Sequence, residues 1–597
     1  MVKKERFGKR YYYFILSAIL IVVVVALAIL FTQKPENLIG HNINTYNSFV
    51  SSLLLSNWVN NSIFVYTGIN NSEIGLYGQP FISDIMAGKF GLLNDQLYFL
   101  GGSTKKVTLN LNNEIILTRS NSTDLISTPF ESNSIIIEQN STSQDSFLFQ
   151  LKGKNAYSIE NNTVIVGNNP KLYIYSPHSV FNVSANVNYT SITINNKGDM
   201  YLIISFSPVN KINVSSLIVS NSAYIKKWLD RSNNISLNGS FLTQYYTSLL
   251  LIKDNQNPIT GEFAASPSPI YLYAWVRDGS FAAMSLQDAG HINSAEKYWS
   301  WMDSMQQTDG TWYTRYNFWT SAPDTSYGIP EYDSIGLFQI GVSSLYNLTH
   351  NSTLIMQFLP AINRSLQWEE SNINKSKILP QDLSIWEDVL AYNFWTQAMD
   401  FIGMKDSAAL FNSFNKNSSE INYFAGILNN TIENDFYNGS FYAEYVTPSE
   451  LYINGTGQLV FTPTMIADSS SILPIAFGLI PLNSVQAKND VTAMISSLDI
   501  EGGLARFTGD TYHYTLSLHD SSGPMPPWII TTLFLAYYDE KDGNYTGAFN
   551  LMKWSIQHSQ NFLLPEAIDP NHGNPLQTTS PLTWSSAMYV ITALNYK

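Results

Sequence analysis

At 597 residues the chain is too long for one small core and is expected to hold at least two domains. It has no cysteine, which excludes disulfide staples, thiolate metal sites and thiol nucleophiles. Charged residues make up only 13% and the formal net charge is -14, so the clustered cations that bind nucleic acid are not expected.

In chain order, "MVKKERFGKR" is basic and is followed by the apolar run "YYYFILSAILIVVVVALAILF". That run has the length that crosses a bilayer, about 20 residues, and lacks a small-residue cleavage site. The sequence therefore predicts a cytoplasmic segment over 1–10 and a retained transmembrane signal-anchor over 11–32. The cations before the span send the remainder outside the cell. Asn-x-Ser/Thr triplets, among them Asn140, Asn188, Asn234, Asn351 and Asn544, fit an outward-facing, N-glycosylated chain. Few charges and no disulfides also suit an acidic exterior.

Residues 33–220 carry short alternating runs such as "KKVTLNLNNEIILT", "SFLFQLKG", "KLYIYSP" and "MYLIISFSPV", separated by Asn, Gly, Ser and Asp. This pattern predicts an antiparallel β-sandwich. No titratable cluster stands out in it, which leaves it a structural or spacer role. From 221 to 597 apolar residues recur three and four apart, as in "FLTQYYTSLLLIKDN" and "DSIGLFQIGVSSLYNLT", predicting an all-α domain. "NSAE" reads as a helix start with Asn293 as cap. Periodicity alone leaves a toroid and a solenoid open, although no fixed repeat is evident.

No His or Cys cluster has metal spacing, and there is no phosphate loop or nucleophile elbow, so no cofactor is expected. What recurs is carboxylates among aromatics. "YLYAWVRDGSFAAM" holds Trp275, Arg277 and Asp278; "LSIWEDVLAYNFW" holds Trp386, Glu387 and Asp388. "GGLARFTGDTYHY" holds Arg506, Asp510 and Tyr512, with Trp528 soon after, and "LLPEAIDPNHGNP" holds Glu566. Each has a structural reading. Arg277 and Asp278 could pair at a helix start, and Glu387 with Asp388 could fill a helix's first turn. Arg506 and Asp510 could pair across a turn, and Glu566 could face solvent. Together, paired carboxyls among aromatic rings are what glycoside hydrolysis requires: one protonated to assist the leaving oxygen, one ionised to activate water.

These stretches resemble, in this order and over roughly residues 240–597, glycoside hydrolase family 15, the glucoamylase family. The resemblance implies an (α/α)6 barrel for the helical half and a β-domain of the prokaryotic type before it. It also implies Glu387 as general acid and Glu566 as general base, with Arg277 and Asp278 gripping the terminal glucose. Arg506, Asp510 and, more distantly, Asp333 of "PEYDSIG" match substrate-contacting positions. Trp275, Trp386, Trp528 and Trp584 match wall or packing aromatics. Asp388 stands where fungal members often have Glu, which bears on outer contacts and substrate preference. The implied activity is exo-acting, inverting release of glucose from an α-glucan, with the glutamates roughly 6.5–9.5 Å apart. A trehalase or glucodextranase of the same fold is the nearest alternative, and a surface glycan-binding protein that has lost its chemistry is a different one.

Overall fold

The computed structural model of the protein describes residues 50–597 apart from short internal stretches, the longest being 71–80 and 513–524. The expected cytoplasmic segment 1–10, the expected span 11–32 and the stretch 33–49 lie outside the described residues. Among those described, no helix is long and apolar enough to cross a membrane.

The alternating runs form two antiparallel sheets. The first has, in spatial order, Val50–Ser56, Ile63–Asn70, Phe81–Ala87, Gln96–Leu100, Asp145–Lys152, Tyr189–Asn196 and Val180–Ala185, with Leu92–Leu93 set against the third strand. The second has Tyr157–Glu160, Thr163–Val166, Leu172–Tyr175, Met200–Ser205, Ser134–Ser141, Ser122–Ser127, Glu114–Arg119 and Thr104–Asn110. Every other residue turns inward: Phe147 and Phe149 register against Ile194 and Ile192 in the first sheet. They share one apolar core with Ile115, Leu117, Ile135 and Ile137 of the second.

One expectation for this half is corrected. It does hold a titratable cluster: buried Arg119 donates to Asp124 at 2.8 Å and to Asp145 at 2.6 Å, and Gln139 donates to Asp124 at 2.7 Å. The cluster is made by three strands and so is invisible along any one of them. Its charges are paired internally, which makes it a tie within the sheets.

Among the described residues, helices begin with Val214–Leu229, before the expected change at residue 220. Beyond it, among the described residues, six helices close a ring, each packing on the next. They are Val276–Asp288, Asp333–Thr349, Phe394–Ser413, Ile472–Ala476, Ile529–Asp542 and Thr583–Asn595, the last returning to the first. An outer helix, Ser240–Asp254, precedes the first ring member, and one follows between each later pair: Ile292–Met305, Leu359–Ser376, Ser419–Thr431, Val485–Leu498 and Tyr545–Gln557. The ring helices are buried on nearly every side, as a helix enclosed by others must be. Two of them touch backbone to backbone: a Cβ on Gly336 would lie 2.4 Å from the Met399 carbonyl oxygen, so only glycine fits there.

The helix start expected at Asn293 is displaced. The helix is Ile292–Met305 with His291 as its cap residue, and Asn293 lies inside the first turn without capping it. The helical half is also not purely α. Three small sheets pair Tyr273–Trp275 with Arg315–Asn317, Tyr392–Asn393 with Tyr445–Ile453, and Gly503–Ala505 with Pro527–Trp528. They lie in the loops around the ring helices, and all but Tyr445–Ile453 are of two or three residues, too short for a period-two signal.

Sheets and ring belong to one compact unit, Phe49–Lys597. At their junction Asp254, on the first outer helix, accepts from Trp58 Nε1 and Asn113 Nδ2, both at 2.9 Å. Burial raises the pKa of Asp254 to about 7. It does the same to Glu262, Asp382 and Asp490 (about 7 each), and raises Glu540 to about 9.

This has a sign for stability. A carboxyl whose folded pKa is raised is neutral in both states at low pH. As pH climbs past the ordinary carboxyl range towards about 7, the unfolded chain ionises first and the folded state loses stability. Buried His291, lowered to about 3, works the other way, but it is outnumbered by the carboxyls. Denaturant midpoints of the purified protein are therefore expected to be highest under mildly acidic conditions and to fall towards neutrality. A midpoint rising over that interval would contradict this reading of the buried acids.

Candidate active site

The ring helices Val276–Asp288, Asp333–Thr349, Phe394–Ser413, Ile529–Asp542 and Thr583–Asn595 begin at one mouth of the barrel, and the residues just before or at their starts line a cavity there. Trp275, Arg277, Asp278, Trp386, Glu387, Arg506, Trp528, Glu566 and Trp584 share this open cavity, whose empty space, counting its solvent-open mouth, is about 570 Å³. Below it the barrel is filled by stacked rings: Phe281 on Trp584 at 5.1 Å and Trp395 on Phe534 at 6.0 Å. The cavity thus ends on an aromatic floor.

Arg277 is the anchor of the mouth. Its Nε donates to Asp333 at 2.7 Å, its Nη2 donates to Glu331 and, at 2.7 Å, to the Ser384 carbonyl, and its Nη1 donates to the Ile385 carbonyl at 3.2 Å. Burial opposes its charge, but Asp333 and Glu331 outweigh burial and the pKa rises. Asp333, buried in the first turn of its helix, also accepts from Trp395 Nε1 at 2.8 Å. Arg277 therefore pairs across the mouth and not with its neighbour Asp278. Burial, aided by the charges of Glu387 and Glu566 and opposed by Arg277, raises Asp278 to about 7.

Glu387 does not sit in the first turn of a helix; that expectation is overturned. Residues 384–390 form a turn and an extended strap, and the helix begins only at Phe394. Glu387 itself has φ of 60° and Ser384 has φ of 52°, left-handed values that cost L-residues energy and persist only where surroundings impose them. Here the surroundings are the Arg277 hydrogen bonds to the strap's carbonyls. The Glu387 carboxyl accepts from Trp275 Nε1 at 3.1 Å on Oε1 and from the Tyr327 hydroxyl on Oε2, with Arg277 Nη1 4.0 Å away. Burial raises its pKa; Arg277, Trp275 and Arg315 pull it down, and Asp388 pushes it up. Removing it from a helix start also removes the dipole that would have favoured its ionised form.

Glu566 enters the mouth on an extended segment. Its N–H donates to the Thr579 carbonyl at 2.9 Å and its carbonyl accepts from Ile529 N at 3.1 Å. The Tyr512 hydroxyl donates to its Oε2 at 2.9 Å. Tyr512 is in turn set by Asp510, which accepts from the Tyr512 N–H at 2.9 Å and from Arg506 Nε and Nη2 at 2.9 and 2.7 Å. Arg506 and Asp510 thus do pair across a turn, and the pair stands among rings. The guanidinium carbon is 4.7 Å from Trp528 and 5.5 Å from Trp386. Trp386 is tied by its N–H to both oxygens of Asp468 at 3.0 Å. Asp388 is 42% exposed and 3.5 Å from Arg506, so the two adjacent acids of the strap face different surroundings.

Sequence reading did not single out Tyr327, Glu331 or Arg315 and gave Tyr512 no role. Arg277 needs two carboxylates because its guanidinium is buried, and only the folded chain shows which ones. Tyr327 and Arg315 sit in an aromatic loop whose composition marks a loop and nothing more.

The sequence profile of the family described as "Glycosyl hydrolases family 15" matches residues 239–321, which include Trp275, Arg277, Asp278 and Arg315. An uncharacterized glycosyl hydrolase of Methanocaldococcus jannaschii is 24% identical over 58% of this chain, which spans about half (54%) of that relative's length. An isomaltose glucohydrolase of Kribbella flavida is 21% identical over 56% of this chain and 87% of its own length. In fold, a bacterial glucoamylase complexed with acarbose is similar over 92% of this chain and 93% of its own, with a TM-score of 0.69 and 15% identity.

Replacing Asp333 by Ala strands the Arg277 charge and the Trp395 N–H. A loss of about 3–5 kcal/mol of stability is expected from breaking one side of a buried pair, read as a lowered urea midpoint. An unchanged midpoint would show that Asp333 does not anchor the guanidinium.

Proposed function

We propose, on the premise that the chain is a glucoamylase-like glycoside hydrolase resembling family 15, that it releases glucose from the non-reducing ends of α-glucans by a single inverting displacement. The observation that carries this is the pair Glu387, part-buried, and Glu566, buried, which line one aromatic cavity and are set by different donors. The indole N–H of Trp275 can only donate, so Oε1 of a neutral Glu387 is its acceptor oxygen and the acidic proton belongs on Oε2. That proton passes to the glycosidic oxygen as the bond to the anomeric carbon breaks. Glu566, ionised, takes a proton from a water that attacks the opposite face of the sugar. Burial raises the pKa of Glu387, the direction a general acid requires. The aromatic floor supports exo action, because a cavity closed at its base admits a chain end and not a chain passing through.

Arg277 and Asp278 lie where the non-reducing sugar would be gripped, and Arg506, Trp386, Trp528 and Asp388 would face the sugar beyond it. The isomaltose glucohydrolase relative favours a second reading in the same reaction class, with α-1,6-linked glucose as substrate. The purified protein should therefore be assayed on starch, isomaltose-type glucans and trehalose. Glu387→Gln and Glu566→Gln are each expected to lower turnover by about 10²–10⁴-fold or more, since each removes a proton transfer, while substrate still binds. β-Glucose as first product, read by NMR, is the expected anomer. α-Glucose, or either variant near wild-type turnover, would overturn the two-carboxylate assignment.

The basic segment 1–10 before the apolar run 11–32 supports attachment to the cell membrane with the catalytic part outside. Asn140, Asn188, Asn234, Asn351 and Asn544 are all exposed, as N-glycan acceptors must be. Activity of the full chain should sediment with membranes and be open to protease on intact cells; activity in the soluble fraction would argue against an anchor.

A further inference from the structure

The Glu387 carboxyl is held by two aromatic residues, Trp275 and Tyr327, and both rings are organised by one cation. Arg315 lies directly across from Trp275 in the short sheet at the mouth. Its guanidinium carbon is 3.5 Å from the Tyr327 ring centre, 4.1 Å from Tyr273 and 4.6 Å from Trp275. Trp275 and Tyr327 meet edge to face at 5.7 Å and 83°, and Tyr273 and Trp275 at 5.8 Å and 82°. The plane of the guanidinium is set from outside the box by Asp324, whose Oδ2 accepts from Nε at 2.9 Å and from Nη2 at 2.7 Å. Asp324 is fixed in turn by the Ser326 hydroxyl, which donates to it at 2.6 Å.

We propose that Arg315 is a positioning residue for the reaction: boxed by three rings, it fixes the Trp275 N–H and the Tyr327 hydroxyl that aim the Glu387 carboxyl. The inference rests on the reading of Glu387 as general acid. A flat, delocalised cation can lie on several ring faces while its edge forks onto a carboxylate; an ammonium cannot do both. Five charged or titratable groups bear on Glu387: Arg277 and Asp278 from the helix start, Arg315 from the facing strand, Asp388 from the strap and the Tyr327 hydroxyl. Of these, Arg315 is held by aromatic rings and by Asp324, and it touches none of the buried acids around Arg277.

The test compares Arg315→Ala and Arg315→Lys with wild type in kcat, KM and the basic limb of the pH–rate profile. With its carboxyl no longer aimed, Arg315→Ala is expected to lose about 10²-fold in kcat, the cost of misplacing a reacting group by about an ångström, with KM little changed. Removing a cation that favours ionised Glu387 moves the basic limb to higher pH. Millimolar guanidinium ion is expected to restore part of the kcat. Arg315→Lys keeps the charge without the fork, so its limb stays near wild type while its kcat remains low.

A double variant separates this inference from the reading beneath it. If Arg315 acts through Glu387, adding Arg315→Ala to Glu387→Gln costs little beyond the single Glu387→Gln loss. Fully additive losses, or an Arg315→Ala variant with wild-type kcat and limb, overturn the positioning role. Glu387→Gln at near wild-type turnover overturns instead the assignment of the acid.

Discussion

The mouth of the cavity depends on one buried cation. Arg277 joins three stretches that are far apart in sequence: the helix start at 276–278, the turn at 331–333 and the strap at 384–387. A guanidinium in a low-dielectric interior is tolerated only when countercharges and acceptors surround it. Asp333 and Glu331 supply the charge, and the carbonyls of Ser384 and Ile385 take remaining N–H groups. Those carbonyls belong to the segment that carries two left-handed residues, Ser384 and Glu387. The strap is held in a costly backbone conformation because leaving it would strand a buried cation. The pairing that satisfies Arg277 is thus also what presents Glu387.

Around this anchor the two carboxyls acquire different settings. Glu387 is held from the side by an indole N–H and a phenol hydroxyl, and burial disfavours its ionised form. Glu566 receives the hydroxyl of Tyr512, which hangs from the Arg506–Asp510 pair. A chain with only 13% charged residues concentrates its ionic organisation where it bears on these two groups. Many of its other acids are buried: Asp254, Asp382 and Asp490 have pKa values raised to about 7, so the formal charge of -14 overstates what the folded molecule carries in mildly acidic surroundings.

Much of this was legible in the sequence, and the gaps have physical causes. Alternation marked the sheets because strands such as Leu172–Tyr175 and Val180–Ala185 have one face more exposed than the other, and the segments "WVRD", "IWED", "GLARFTGD" and "LPEAIDP" marked residues that share one cavity. Ring closure was not legible: helices such as Phe394–Ser413 are buried all round, so their sequences carry no stripe that names neighbours. The acidic pair at 387–388 resembles a helix's first turn in composition, and only the tie from Arg277 shows why the chain stays extended until Phe394. The Arg119, Asp124 and Asp145 cluster, and the Glu331 and Asp333 partners of Arg277, were hidden because ion pairing is a property of space and not of spacing.

The two sides of the cavity differ in how firmly they are held, and that difference locates specificity. On the side of Arg277 the guanidinium is buried and its donors are taken by Asp333, Glu331 and the Ser384 and Ile385 carbonyls. On the other side Arg506 is saturated by Asp510, while its second acid, Asp388, lies 3.5 Å away and is 42% exposed. An exposed carboxylate beside an already paired cation costs little to move. The strap thus carries two neighbouring acids in different settings: Glu387 accepts from Trp275 and Tyr327, while Asp388 is 42% exposed beside Arg506. On the proposed reading, substitutions around Asp388, Trp386 and Trp528 would alter contacts beyond the scissile bond without disturbing the pairing that holds Glu387 in place.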